Sequence, residues 1–117
     1  MHIDEFREYC ISKPGVSEEF PFDETTLVFK VGGKMFALTD VEDDFSVTLK
    51  CNPDYAAELR EKYPNIKGAY HMNKIHWNTI YEAMNFDEEI FKHLIDLSYK
   101  LVVSGLSKKI RESIPES

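Results

Sequence analysis

The clearest pattern in the sequence is TLVFKVGGKMFALT, in which apolar and polar positions alternate on both sides of a glycine pair. Alternation with a period of two predicts two strands, and adjacent glycines suit a tight hairpin turn because both can adopt positive φ. With a two-residue turn, Phe29 lies opposite Phe36 and Leu27 lies opposite Leu38. We expect these four side chains to share the face of the hairpin that packs against the core.

A second hairpin is predicted from YHMNKIHWN, after a further single strand in FSVTLKC. A turn at Asn73-Lys74 would pair His71 with His76 and place both on one face, because successive side chains along a strand point to opposite faces. A one-residue slip in register would put the histidines inside, and we expect the unslipped pairing. Trp77 then pairs with Tyr70, and both fall on the apolar face, which we expect to face the core. A tryptophan can also stack on a nucleic-acid base, but here we expect it to lie in the core.

Apolar residues recur at helical spacing over residues 3–12, 53–63 and 87–104, and these segments are predicted to be helices. Asn52 and Asp87 precede the second and third of them and are suited to cap them. Between the first helix and the first hairpin, VSEEFPFDETT is predicted to be a loop with at most one helical turn. The proline between its two phenylalanines prevents a regular helix there.

The predicted elements follow the order helix, three strands, helix, two strands, helix. This order predicts a single α+β domain over residues 1–117, with two layers: an antiparallel sheet of about five strands and helices packed on one of its faces. With 43% hydrophobic residues, the chain can bury a core without disulfides. We therefore expect Cys10 and Cys51 to be buried thiols, with a reactive thiol as the alternative.

The chain carries a net charge of −7 at pH 7, which argues against a strong overall attraction to nucleic acid or to an anionic membrane. No apolar run approaches the roughly 18 residues that cross a bilayer. The first residues, MHIDEFREYC, are charged and do not resemble a signal peptide. We expect a cytoplasmic protein with no membrane partner.

If the helices cover one face of the sheet, the other face is open, and the residues predicted to lie on it include no acid. They are Val28, Lys30, Met35, Ala37, Thr39, Ser46, Thr48, Lys50, Ala69, His71, His76 and Asn78. In a chain with 21 acidic residues, this absence suggests that the open face meets an anion or a nucleic acid. The alternative is an ordinary solvated sheet face of small and β-branched residues.

Metal binding and catalysis find less support. Cross-strand neighbours lie about 5 Å apart at Cβ, so His71 and His76 could share a metal ion, but zinc sites use three or four protein ligands. No Cys, Asp or Glu stands at a matching predicted position, and we expect no metal site. The sequence has no glycine-rich phosphate loop and no nucleophile motif, so we expect no cofactor and no enzymatic activity. A small-ligand pocket that uses one of these histidines is the alternative.

Several stretches together resemble the MmcQ/YjbR family. They are CISKPGVSEEFPF, FKVGGKMFAL, LKCNPDYAAELREKYP, GAYHMNKIHWNTI and LIDLSYKLVVSGL, and the resemblance as a whole extends over roughly residues 3–106. Members of this family are small bacterial proteins to which DNA binding through a double-wing motif is ascribed. The resemblance implies an α+β fold grouped with type III secretion chaperone-like architectures, with the hairpins 26–39 and 68–80 as the wings. It implies no catalytic residues.

Two classes of function follow. The first is a nucleic-acid-binding module whose hairpins and open face contact DNA weakly and in a salt-dependent manner. Its expected phosphate contacts are Lys30, Lys34, Lys50 and Lys74, and its expected hydrogen-bonding residues are His71, His76 and Asn78. The second is a protein-interaction module, including a homodimer, which the chaperone-like architecture suggests by analogy and apolar residues on an exposed face support.

Overall fold

The computed structural model describes residues 1–42, 44–70 and 72–115. The helices are α1 (Ile3–Ile11), α2 (Pro53–Lys62), α3 (Glu88–Ser104) and α4 (Lys108–Ser113), with a 3-10 turn at Ala83–Asn85. The strands are β1 (Val16–Glu19), β2 (Thr26–Val31), β3 (Lys34–Asp40), β4 (Val47–Lys50), β5 (Ile66–Gly68) and β6 (Trp77–Ile80). Among the described residues, no helix is long and apolar enough to span a bilayer.

The strands form one antiparallel sheet in the order β1-β2-β3-β4-β6-β5, with the helices on one face. This confirms the predicted α+β class and its arrangement. The sheet has six strands where about five were predicted, because the segment expected to be a loop begins with β1. Its sequence, VSEE, is poor in strand-forming residues. It forms an edge strand through backbone pairing with β2, from Val16 opposite Val31 to Glu19 opposite Val28.

The core lies between the sheet and the helices and is built around aromatic rings. Phe6 of α1 is fully buried. Its ring centroid lies 5.5 Å from that of Phe29 on β2, 5.6 Å from Phe45 and 5.8 Å from Phe91 on α3. These contacts connect α1, α3 and the sheet through one cluster, so the helix layer is anchored to the inner face of the first hairpin.

The first hairpin contains a β-bulge that its alternating sequence does not reveal. Near the turn, Lys30 pairs with Met35, but farther along Phe29 pairs with Ala37, so β3 carries Phe36 as an extra residue. The predicted pairing of Phe29 with Phe36 is therefore wrong. The Phe36 ring packs edge-on against Tyr99 of α3, with centroids 5.5 Å apart, and the bulge allows both Phe36 and Ala37 to be buried.

Because of the bulge, the side chains that follow it on β3 point to the faces of the sheet opposite to those predicted. Leu27 pairs with Thr39 rather than with Leu38. Ala37 and Thr39, predicted on the open face, pair with core residues of β4 and lie on the helix side. Leu38, predicted in the core, pairs with Thr48, and both line a groove on the open face.

Ser98 of α3 joins the bulge to the next strand. Its hydroxyl donates to the carbonyl oxygen of Phe36 at 2.5 Å and accepts from the backbone N–H of Lys50 at 2.9 Å. These two backbone groups face each other across β3 and β4, one residue beyond the last regular pair, Ala37 with Leu49. The serine hydroxyl thus takes the place of a direct ladder hydrogen bond.

The second hairpin is also shifted from its predicted register. Gly68 pairs with Asn78, and the Ala69 N–H donates to the Trp77 carbonyl at 3.0 Å, so Trp77 faces Ala69 instead of Tyr70. The predicted two-residue turn is a loop over residues 69–76. Its Asn73 carbonyl accepts from the N–H of Trp77 at 2.9 Å. The strands therefore pair one residue out of the predicted register, which is the slip that we did not expect. His71 itself lies outside the described residues.

The slip exchanges the faces of β6. Asn78 bonds to α2 and so points to the helix side, whereas Thr79 bonds to Thr48 on the open side, with 2.8 Å between the hydroxyl oxygens. By alternation, Trp77 lies on the open side. It is buried, but it is not part of the core cluster beneath the helices. The prediction that Trp77 is buried is therefore confirmed, but its side chain is buried on the open side of the sheet and not on the side of the helices.

Replacing Ser98 with alanine is expected to lower the free energy of unfolding by about 2 kcal/mol, because a buried N–H and a buried carbonyl lose their common partner. Urea denaturation monitored by circular dichroism measures the change. Ser104→Ala is the matched control, since this exposed serine on the same helix donates only to its own Leu101 carbonyl. We expect the control to change stability by less than about 0.5 kcal/mol, and equal effects of the two substitutions would contradict the bridging role.

Candidate binding site: the open face and its two ends

The connections of the two predicted hairpins, β2–β3 and β5–β6, lie at the same end of the sheet, and the β1–β2 and β3–β4 connections lie at the other end. The Gly32-Gly33 turn joins β2 to β3, and β4, antiparallel to β3, ends beside it at Lys50. Lys50 is opposite Trp77, the residue that follows the 69–76 loop. We name this end, formed by the glycine turn, Lys50 and the loop, the hairpin end.

Three lysines at the hairpin end have uncompensated charges. Lys34 follows the glycine turn, Lys50 ends β4 and Lys74 lies in the 69–76 loop. In the part of the chain that the structure describes, none of the three forms an ion pair. Lys30 differs, because its ammonium group pairs with the carboxylate of Glu19 on β1. Of the four lysines named from the sequence, three therefore contribute positive charge to the hairpin end without an ion pair to a described residue.

Asn78, predicted to bind nucleic acid from the open face, is a structural residue on the other side of the sheet. It is 4% exposed. Its amide Nδ2 donates to the Ala56 carbonyl at 3.1 Å, and its Oδ1 accepts from Arg60 at 2.7 Å. Arg60 also donates to the Lys74 carbonyl at 3.3 Å. This pair holds α2 against β6 and steadies the 69–76 loop from beneath.

The structure describes one of the two histidines that were predicted to pair, His76. His76 is partly buried, and it is the last residue of the loop. Its N–H donates to the Asn73 carbonyl at 3.1 Å, and its carbonyl accepts from Cys51 at 2.8 Å. His71 lies outside the described residues. Among the residues that the structure does describe, no group of three or more His, Cys, Asp or Glu side chains could hold a metal ion.

The open face contains a groove of about 670 Å³. Its floor includes Leu38, Thr48 and Thr79 from β3, β4 and β6, and Phe22 and Tyr70 line it from the loops at its two ends. We name this feature the open-face groove. Its volume is within the usual range for ligand sites, roughly 300–1,000 Å³, but its breadth across several strands resembles a docking surface more than a closed pocket.

Acidic residues line one end of the groove, so the prediction of an acid-free open face was wrong. Asp40 reaches it because the bulge turns the end of β3, and Asp23 reaches it from the loop between β1 and β2. Asp23 accepts hydrogen bonds from the N–H groups of Thr25 at 2.9 Å and Thr26 at 2.7 Å, which lower the pKa of its carboxyl group. We name this end, opposite the hairpin end, the acidic end.

Large hydrophobic side chains are exposed around the groove. Phe22 is 65% exposed, Tyr70 is 76% exposed and Tyr81 is 41% exposed, and all three line it. Sequence periodicity alone could not place them, because Phe22 comes from a loop and Tyr70 was predicted to face the core. Leu38 and Met35 on its floor give the groove an apolar middle between its acidic end and the hairpin end, and the three exposed rings stand around this middle.

A separate cluster of titratable groups joins α1 to α3. The Tyr9 hydroxyl donates to Asp96 Oδ1 at 2.7 Å, and the Lys13 ammonium pairs with the same carboxylate. Cys10 beside them is fully buried, and burial raises the pKa of its thiol, which keeps it in the unreactive protonated form. Cys51 is buried as well, so the prediction of two buried thiols is confirmed. This cluster fixes one helix to another and does not reach the groove.

The sequence model of the YjbR family matches residues 11–101. The uncharacterized protein YjbR of Escherichia coli K12 is 32% identical over 113 residues, which cover 96% of this chain and 96% of that protein. The uncharacterized protein YbdF of Escherichia coli O157:H7 is 34% identical over 109 residues, covering 92% of this chain and 89% of that protein. Neither name states an activity.

Two solved structures share the fold. The crystal structure of the Deinococcus radiodurans protein DR2400, a DUF419 domain, has a TM-score of 0.89 at 39% identity and covers 98% of this chain and 90% of that one. A protein from Pseudomonas syringae has a TM-score of 0.74 at 27% identity, covering 86% of this chain and 98% of that one. The resemblance predicted from the sequence motifs is thus confirmed for both family and fold.

The cluster between α1 and α3 predicts a specific loss of stability at alkaline pH. Burial, and then the hydrogen bond to Asp96, raise the pKa of Tyr9 to about 12, from 10.0 for an ordinary tyrosine. Below pH 10 the hydroxyl is protonated in both folded and unfolded chains, so its stabilising effect is complete. It is lost as the pH rises from about 10 to about 12, since the unfolded chain releases the proton first.

Tyr9→Phe is expected to lower the free energy of unfolding by about 1–2 kcal/mol at neutral pH. The difference in the free energy of unfolding between this variant and the wild type should shrink above pH 10, because phenylalanine has no proton to release. Thermal denaturation across this pH range measures the difference, with Tyr81→Phe as a control at an exposed tyrosine. A deficit that stays constant up to pH 12 would contradict the assignment.

Proposed function

The chain belongs to the YjbR family, and on this premise we propose that it is a non-catalytic cytoplasmic module that binds nucleic acid, DNA above all, through its hairpin end. The supporting observation is the convergence of Lys34, Lys50 and Lys74 on the end of the sheet where both hairpin connections lie. Phosphate groups are bound by lysines of this kind, with little dependence on base sequence.

The proposed contact set differs from the one expected from sequence. Lys30 contributes little, because Glu19 compensates its charge, and Asn78 is buried against α2. The three remaining lysines supply phosphate contacts. His76, at the end of the loop between them, is available as a hydrogen-bonding side chain.

The spacing of the two hairpin connections suits a duplex. Three inter-strand steps separate the β2–β3 turn from the β5–β6 loop, or about 14 Å at roughly 4.8 Å per step. The major groove of B-DNA is about 12 Å wide. Two loops at this separation can therefore contact the phosphates on both borders of one groove.

The net charge of −7 makes this binding weak, because most of the protein surface repels a polyanion. Three phosphate contacts on duplex DNA predict that log K falls with log salt concentration with a slope of about −3. Fluorescence anisotropy of a labelled random duplex, titrated with protein at several salt concentrations, measures both the affinity and the slope.

The double variant Lys34→Glu/Lys74→Glu is expected to abolish measurable binding at low salt. Its matched control is Lys62→Glu/Lys92→Glu, which makes the same change in net charge at surface lysines near the end of α2 and the start of α3, away from the hairpin end. If the two double variants lost equal DNA affinity, the change in net charge alone would explain the loss, and this would contradict a site at the hairpin end. An affinity that does not depend on salt, or no binding at low salt, would contradict nucleic-acid binding itself.

A second candidate function is protein interaction through the open-face groove. The observation that favours it is the exposure of Phe22, Tyr70 and Tyr81 around an apolar floor, since contiguous apolar patches on soluble domains commonly mark interfaces. The hairpin end and the groove overlap only at their border. The two functions can therefore be separated by substitution.

A further inference from the structure

We propose that the open-face groove is the interface of a homodimer in which two copies pack face to face with their strands running in opposite directions. The occupant of the groove is thus a second copy of this chain. This inference does not depend on nucleic-acid binding. It rests on the apolar middle of the groove, on the acids that line one end of it, and on the position of Lys50 beyond its other end.

The apolar middle supplies the attraction. Leu38 and Met35 contribute to its floor, and the exposed rings of Phe22, Tyr70 and Tyr81 surround it. Burying apolar surface of this kind contributes about 25 cal/mol per Å². Two such faces placed together would cover each other's exposed rings.

The charged ends decide which partner fits. Asp23 and Asp40 line the groove at the acidic end, and Lys50 stands on the same face at the hairpin end, by alternation with Thr48. A two-fold axis that lies across the strands places the hairpin end of one copy over the acidic end of the other. Symmetry then forms each favourable charge pair twice. An axis along the strands would instead place like charges together.

The register of β3 and β4 matches this axis. Leu38 pairs with Thr48 in the middle of the face. Asp40 lies two residues from Leu38 along β3, and Lys50 lies two residues from Thr48 along β4, in the opposite direction. An axis at the level of the Leu38–Thr48 pair therefore brings Asp40 of one copy level with Lys50 of the other. The lateral offset is one strand spacing, about 4.8 Å, which a lysine side chain can span.

The expected dimer is weak. Six strands make a face about 24 Å wide, and a stable interface buries about 800 Å² on each partner. The sheet therefore needs the flanking rings of Phe22 and Tyr70 to approach that area. We expect dissociation on the order of micromolar concentrations, where sedimentation equilibrium is sensitive.

Sedimentation equilibrium over a wide range of concentrations is the test. The wild type is expected to pass from monomer to dimer as its concentration rises. Two variants are expected to weaken dimerisation at least tenfold. Leu38→Arg places two positive charges at the axis. Phe22→Arg changes an exposed loop residue and should leave folding intact. Ile11→Arg is the matched control, because Ile11 is an exposed apolar residue on α1, away from the groove.

Charge exchange tests the orientation. Asp40→Lys and Lys50→Asp are each expected to remain monomeric alone, because each homodimer would contain two repulsive pairs. A mixture of the two variants should dimerise, since both pairs are again attractive. Asp40→Lys also separates this inference from the proposed function, because the added positive charge should not weaken DNA binding.

A wild type that stays monomeric at every concentration would overturn the inference. So would a dimer that tolerates both Leu38→Arg and Phe22→Arg, or one that Ile11→Arg weakens equally. Folded single-charge variants that fail to associate when mixed would overturn the antiparallel arrangement.

Discussion

The arrangement of side chains on the two faces of the sheet depends on one hydrogen-bonding group, the hydroxyl of Ser98. Ser98 stands between the Phe36 carbonyl and the Lys50 N–H and ties α3 to the point at which β3 bulges. The bulge adds one residue, and one residue is enough to exchange the two faces of a strand. With a regular hairpin, Leu38 and Asp40 would point toward the helices. With the bulge they point to the open face, and Leu38 becomes part of a surface available to a partner.

As a consequence, the two ends of the sheet differ in charge. The net charge of −7 does not reveal this difference. The acids at one end of the groove lie apart from the lysines of the hairpin end, and the apolar middle of the groove lies between them. On the open face, a polyanion would be attracted to the hairpin end and repelled by the acidic end, whereas a second copy of the chain would match both ends at once. The same arrangement therefore supports the proposed contact with nucleic acid and the proposed self-association.

Features decided within a few residues were predictable from the sequence. The glycine turn forms as expected, Asn52 caps α2 by accepting from the Asp54 N–H at 3.0 Å, and Asp87 caps α3 by accepting from the Ile90 N–H at 3.0 Å. The bulge was not predictable, because its partner Ser98 comes from a distant helix. The second hairpin was displaced by the hydrogen bonds of Asn73 within a longer loop. Of the seven predicted contact residues, Lys34, Lys50, Lys74 and His76 lie at the hairpin end without an ion pair to a described residue. The sequence could place only Lys34 and Lys74 there, because these two lie in or beside the predicted turns.

The central claim is that the hairpin end of the sheet is the surface that recognises DNA. It is tested most directly by ¹H–¹⁵N NMR spectra of the labelled protein, recorded during titration with a short duplex at low salt. We expect the amide signals of Lys34, Lys50, Lys74 and their neighbours to move progressively and to return when salt is added. Shifts confined to the groove or to the helices, or an unchanged spectrum with excess duplex, would contradict the claim.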